Sequence, residues 1–137
     1  MSGMRENLPQ AVFDPSNKSR GLHRLKMAFK NSLRAFAWLS RNEAAFRQEI
    51  FLCLAAIVVL IFWQIPLLHK GVLFSSVLFV MFAEVINTAI EAIIDRVGHE
   101  IHPLSGLAKD LGSAGVFIAM GIAAVMWLAV LFTYLAR

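Results

Sequence analysis

Three long apolar stretches limit what this chain can fold into. The first runs from Ile50 to Leu68, nineteen residues with no charged side chain. The second, Gly71 to Ile94, is twenty-four residues interrupted only by Glu84, Asn87 and Glu91. The third, Leu111 to Ala136, is twenty-six residues with no charge. A helix needs about 20 apolar residues to cross the hydrocarbon core of a bilayer, so each qualifies by length. Three helices apolar on every face would leave a 137-residue soluble protein little surface to offer water. Composition agrees: the chain is 58% hydrophobic and 16% charged, against about 25% charged in soluble domains. The reading is an all-α membrane protein with three transmembrane helices, at about residues 44–66, 71–96 and 111–136.

The cations give the orientation. Nine of the thirteen lysines and arginines precede residue 50, and only Lys70, Arg96, Lys109 and Arg137 follow. The positive-inside rule then puts the N-terminus in the cytoplasm. The loop around Lys70 faces out, the 98–110 loop returns to the cytoplasm, and the C-terminus ends outside. No apolar core precedes position 50, so a signal peptide is not expected. The apolar composition also speaks against disorder and against a nucleic-acid-binding arm.

Residues 1–20 read as a loose tail, and 21–137 as a single membrane domain. From Gly21 to Ser40, Leu22, Leu25, Met27, Phe29, Leu33, Phe36 and Trp38 are interleaved with Arg24, Lys26, Lys30 and Arg34. A basic amphipathic helix at 21–40, lying in the headgroup layer, fits better than a solvated one. Ser40 and Glu43 have the spacing of a capping box that would open the first span. The lone Cys53 reads as a small buried hydrophobe. His23 and His69 stand alone. His99 and His102 lack the further ligands that zinc needs. Trp38, Trp63, Trp127 and Tyr134 read as interfacial or lipid-facing aromatics.

The chemistry is concentrated in the second span. At about 100° per residue, Asn87 and Glu91 fall within about 60° of Glu84, and Asp95 returns to the same face. A charged carboxylate near a helix centre costs about 2.5–3.5 kcal/mol on insertion scales, so such residues face a protein interior or a wet cavity. An interhelical hydrogen-bond cluster would account for Asn87. It accounts poorly for two acids with no Lys, Arg or His deep in any span. They are either protonated or met by something cationic from outside, such as a divalent metal with nucleotide. Lys109, read as lying just before the third span, suits phosphate near a helix N-terminus. Ala108, Gly112, Gly115 and Ala119 recur at three or four residues and read as a close-packing face.

Three segments carry a family resemblance: Asn42–Glu49, the Glu84-x-x-Asn-x-x-x-Glu-x-x-x-Asp95 stripe, and Leu104–Ala114 with Ala108-Lys-Asp110. Together they resemble the bacterial membrane-integral diacylglycerol kinases, over roughly residues 22–135. The resemblance implies homotrimers of three-span subunits, each with an amphipathic N-terminal helix and with active sites shared between neighbours. It implies transfer of the γ-phosphoryl of magnesium-ATP to diacylglycerol at the cytoplasmic face of the inner membrane, giving phosphatidic acid. By the same resemblance, Glu84 matches the catalytic base, and Glu43 and Glu91 match the Mg2+ ligands. Arg24, Glu43, Glu91, Glu100, His102, Lys109 and Asp110 match nucleotide-binding positions. Asn87 and Asp95 match other active-site polar positions, and Arg24, Arg47 and Glu84 match lipid-substrate positions. Asn31 departs from the family's usual Tyr, and Pro103 from a more polar residue. Two other readings stay open here: an undecaprenol kinase of the same family, and a non-enzymatic proton channel or scaffold using the acidic stripe. The channel leaves Lys109 and Asp110 without a role.

Overall fold

The computed structural model describes residues 21–97 and 102–136, and all of its regular structure there is helical. The four helices are α1 (Leu22–Asn42), α2 (Ala44–Phe62), α3 (Leu67–Val97) and α4 (Pro103–Leu135). Among the described residues, α2, α3 and α4 are long and apolar enough to cross a membrane. The tail before Gly21 lies outside the described residues. The chain forms two compact units, divided between Arg47 and Gln48.

In the first unit, Gly21 starts α1 at φ 63°, a backbone region that glycine enters without steric cost. The apolar side chains Leu22, Leu25, Phe29 and Leu33 are all exposed on α1, as are Arg24, Lys26 and Lys30. Leu39 and Phe46 are buried, and the Phe36 and Phe46 rings stack at 6.1 Å.

The expected capping box does not form. α1 runs on through Ser40, whose Oγ donates to the Ala37 carbonyl at 3.1 Å. A serine hydroxyl inside a helix has this carbonyl within reach and no free N–H to cap. The break falls three residues later. Glu43 is extended, at φ −105° and ψ 118°. Its N–H closes α1 on the Leu39 carbonyl at 2.8 Å, and its own carbonyl accepts from Arg47 at 3.3 Å.

In the second unit α3 and α4 pack along one another. They run antiparallel, since His69 near the start of α3 meets Tyr134 near the end of α4, and Asp95 near the end of α3 meets Lys109. Leu60, Ile65 and Leu73 are buried together, with Trp63, Trp127 and Tyr134 packed against them. The Trp63 ring lies 6.5 Å from Trp127 and 6.3 Å edge-on from Tyr134. These aromatics therefore pack on each other and on the buried Leu60, Ile65 and Leu73. His69 is not isolated either, since its Nδ1 is 3.0 Å from the Tyr134 hydroxyl. Cys53 is half-buried rather than buried.

α4 begins at Pro103, two turns before the expected start. His102 is its N-cap, with Nδ1 accepting from the Leu104 N–H at 3.2 Å. Proline at the first helical position suits this start, because the N–H it lacks has no intrahelical partner there. Similarly, Pro66 precedes α3 and its carbonyl accepts from Lys70 at 3.2 Å, so Lys70 is helical. At about 1.5 Å per residue, the 31 residues of α3 and 33 of α4 span about 46 and 50 Å. The hydrocarbon core is about 30 Å thick, so both helices overhang it.

Candidate active site

The stripe on α3 grades from buried to exposed. Glu84 and Asn87 are 7% and 8% exposed, Glu91 is half-buried, and Asp95 is exposed. The four-residue step places Asn87 one turn before Glu91, and Asn87 Nδ2 donates to Glu91 Oε1 at 3.1 Å. A carboxylate only accepts, so the amide must turn its nitrogen toward Glu91 and its oxygen away. That oxygen, Oδ1, is buried with no hydrogen-bond partner. It faces Gly112 of α4.

One turn beyond Glu91, Lys109 Nζ donates to Asp95 Oδ1 at 2.7 Å, joining α4 to α3. The ammonium also lies within electrostatic range of Glu91. Lys109 sits six residues inside α4 rather than ahead of it. The helix dipole falls off within the first turn. What Lys109 offers an anion is thus the side chain's own charge, not the dipole. Asp110 follows, exposed, and His102 is exposed at the N-cap. Gly112 and Ala119 of the small-residue face are packed, whereas Gly115 is exposed with nothing near its missing Cβ.

The remaining sequence-predicted residues lie elsewhere. Arg24 is exposed on α1, Glu43 is half-buried at the α1–α2 break, and Arg47 is exposed in the first turn of α2. These three belong to the first unit. Glu100 and His99 lie outside the described residues.

One acidic side chain was not singled out from the sequence as a site residue. Glu49 on α2 is 8% exposed, its Oε2 has no hydrogen-bond partner, and it is close enough to Glu84 for their charges to repel. Its only sequence signal was its place in the Asn42–Glu49 segment, because its neighbour in space is on another helix.

The model of the family described as prokaryotic diacylglycerol kinase matches residues 30–131. This chain is a member of that family. It is 43% identical over 122 residues to the diacylglycerol kinase of Escherichia coli strain K12, covering 87% of this chain and 98% of that one. It is 43% identical over 115 residues to the diacylglycerol kinase of Haemophilus influenzae (84% and 98% covered). The corresponding enzyme of Pseudomonas aeruginosa is 38% identical over 117 residues (85% and 95% covered). In this member of the family, then, one of three apolar helices carries a buried acid, an amide and a second acid in successive turns, with a lysine of the next helix bridged to the last turn of the stripe.

Proposed function

We propose that this chain is a lipid kinase that moves the γ-phosphoryl of magnesium-ATP onto the hydroxyl of diacylglycerol, yielding phosphatidic acid and ADP. The observation that carries the reading is the stripe itself: Glu84 buried within the apolar span, and Asp95 with Lys109 at the overhanging ends of α3 and α4. A substrate hydroxyl held at the membrane interface and a soluble nucleotide must meet at such a boundary. Membership of the diacylglycerol kinase family supports the same reading.

Glu84 acts as the general base. It takes the hydroxyl proton as the lipid oxygen bonds to the γ-phosphorus and the bond to the ADP oxygen breaks. General-base assistance of this kind contributes about 10²–10⁴-fold. Lys109 meets the phosphates, and Asp95 holds the ammonium until they arrive; Arg24 serves nucleotide and lipid, and Arg47 the lipid. Asp110, Glu100 and His102 complete the nucleotide contacts.

The donor set suits magnesium. Among the described residues no three His, Cys, Asp or Glu side chains converge. Magnesium needs no such cage, being held by one or two carboxylates together with substrate phosphates. Glu91, with one oxygen engaged by Asn87, offers the other to a hard cation, and Glu43 is the second candidate. When bound, the ion neutralises charge on the phosphates. The protein would work as a homotrimer in the inner membrane, N-terminus in the cytoplasm and C-terminus outside, with α1 in the headgroup layer and neighbouring subunits sharing each site.

The test is transfer of labelled γ-phosphate from magnesium-ATP in detergent–lipid micelles, with diacylglycerol and undecaprenol offered separately. Labelled phosphatidic acid is the expected product. Label on undecaprenol alone would move the substrate to a different lipid alcohol, and no transfer to either would overturn the kinase reading.

A further inference from the structure

Gly112 lies where α4 meets the Asn87 side chain. A Cβ added there would overlap Asn87 Oδ1 and stand 3.4 Å from Asn87 Cγ and 3.7 Å from its Cα. The hydrogen that glycine carries in that direction is thus what the amide oxygen meets, a weak C–H donor at best. Asn87 is 8% exposed, so it has little room to swing aside. Its Nδ2 is committed to Glu91 Oε1 at 3.1 Å. Any side chain at position 112 must therefore push the amide off Glu91 or push α4 off α3.

We infer that Gly112 is a positioning residue. By lacking a side chain it sets the Asn87 amide, and through that amide it holds the Glu91 carboxylate in the orientation that receives magnesium-ATP. The inference rests on the proposed role of Glu91 as a metal ligand. Outer partners of a metal-ligating carboxylate typically change metal affinity or activity by about 10–100-fold when removed. Gly115, one turn on, shares the helix but has nothing within reach of an added Cβ. Its substitution by alanine brings the same gain in helix propensity without the clash.

The experiment uses the full chain in detergent–lipid micelles and reads two quantities. One is Mn2+·ATP binding, followed by the electron paramagnetic resonance signal of free Mn2+. The other is the split between KM for magnesium-ATP and kcat. Gly112→Ala is expected to weaken Mn2+·ATP binding about 10-fold or more. It should raise KM while leaving kcat at saturation largely intact, the pattern of lost ground-state binding. Gly115→Ala should leave both unchanged. The double variant Asn87→Ala/Gly112→Ala should match Asn87→Ala alone, because once the amide is gone position 112 has nothing to displace.

Normal binding in Gly112→Ala, beside weakened binding in Glu91→Ala, overturns the inference alone. Unchanged binding in Glu91→Ala overturns the metal reading of that carboxylate and this inference with it. Additive losses in the double variant mean that the glycine serves helix packing instead. If Gly112→Ala is recovered only unfolded, a double variant that folds supports the clash with Asn87, and one that does not overturns it.

Discussion

Lys109 Nζ donates to Asp95 Oδ1 at 2.7 Å, so the cation proposed to receive phosphate is already held by an acid on the neighbouring helix. Both side chains remain largely open, at 42% and 43% exposure. Exposed ion pairs contribute little to stability. The pair is therefore better suited to keeping the ammonium in place than to holding α3 against α4.

Lys109→Met should accordingly separate activity from stability. Removing a cation aimed at developing charge typically costs about 10²-fold or more in turnover. The midpoint of denaturant-induced unfolding should stay within error of the parent. A large fall in that midpoint with turnover preserved would assign Lys109 to structure instead.

Glu49 carries a buried oxygen without a partner and faces the charge of Glu84. Glu49→Gln removes the charge at nearly constant shape. The variant should resist unfolding better by about 1 kcal/mol, since a buried carboxylate charge without a partner costs more than a neutral amide of the same shape. A loss of stability in the same titration would mean that the Glu49 charge is compensated.

Ser40→Ala tests where the first helix break lies. Loss of a helix N-cap typically costs about 1 kcal/mol. Ser40 sits inside α1 and donates to Ala37, so the change should be neutral or slightly stabilising by helix propensity. A cost near that of a lost cap, read by thermal unfolding, would restore the capping box.

The difference between these residues shows what the sequence carries. Periodic, one-dimensional features were legible. The gaps between charges gave three helices of spanning length, and the steps from Glu84 to Asn87, Glu91 and Asp95 gave a stripe whose middle pair is hydrogen-bonded one turn apart. Features that depend on a second helix were not. Glu49 meets Glu84 only across α2 and α3, and Trp63, Trp127, Tyr134 and His69 cluster only because α4 returns alongside α3. Nor was the start of α4 legible: residues 98–110, with Pro103 and Gly106, read as a loop. Packing against α3 outweighs a glycine cost of about 1 kcal/mol in a helix. Proline at N1 is no break at all.

The far end of α4 offers a control. Tyr134 lies 25 residues beyond Lys109, about 37 Å along the helix at 1.5 Å per residue. Tyr134→Phe removes the hydroxyl that meets His69 and should cost about 1 kcal/mol of stability. Below the unfolding transition kcat should be unchanged. A fall in kcat there would link the two ends of the helix in function.

The buried carboxylate of Glu84 is the proposed base. Single-turnover phosphoryl transfer to diacylglycerol by Glu84→Gln, with magnesium-ATP binding measured on the same sample, decides that role. The expected result is bound nucleotide at near-parental affinity with transfer slowed by about 100-fold or more. Near-parental transfer in that variant would contradict the assignment.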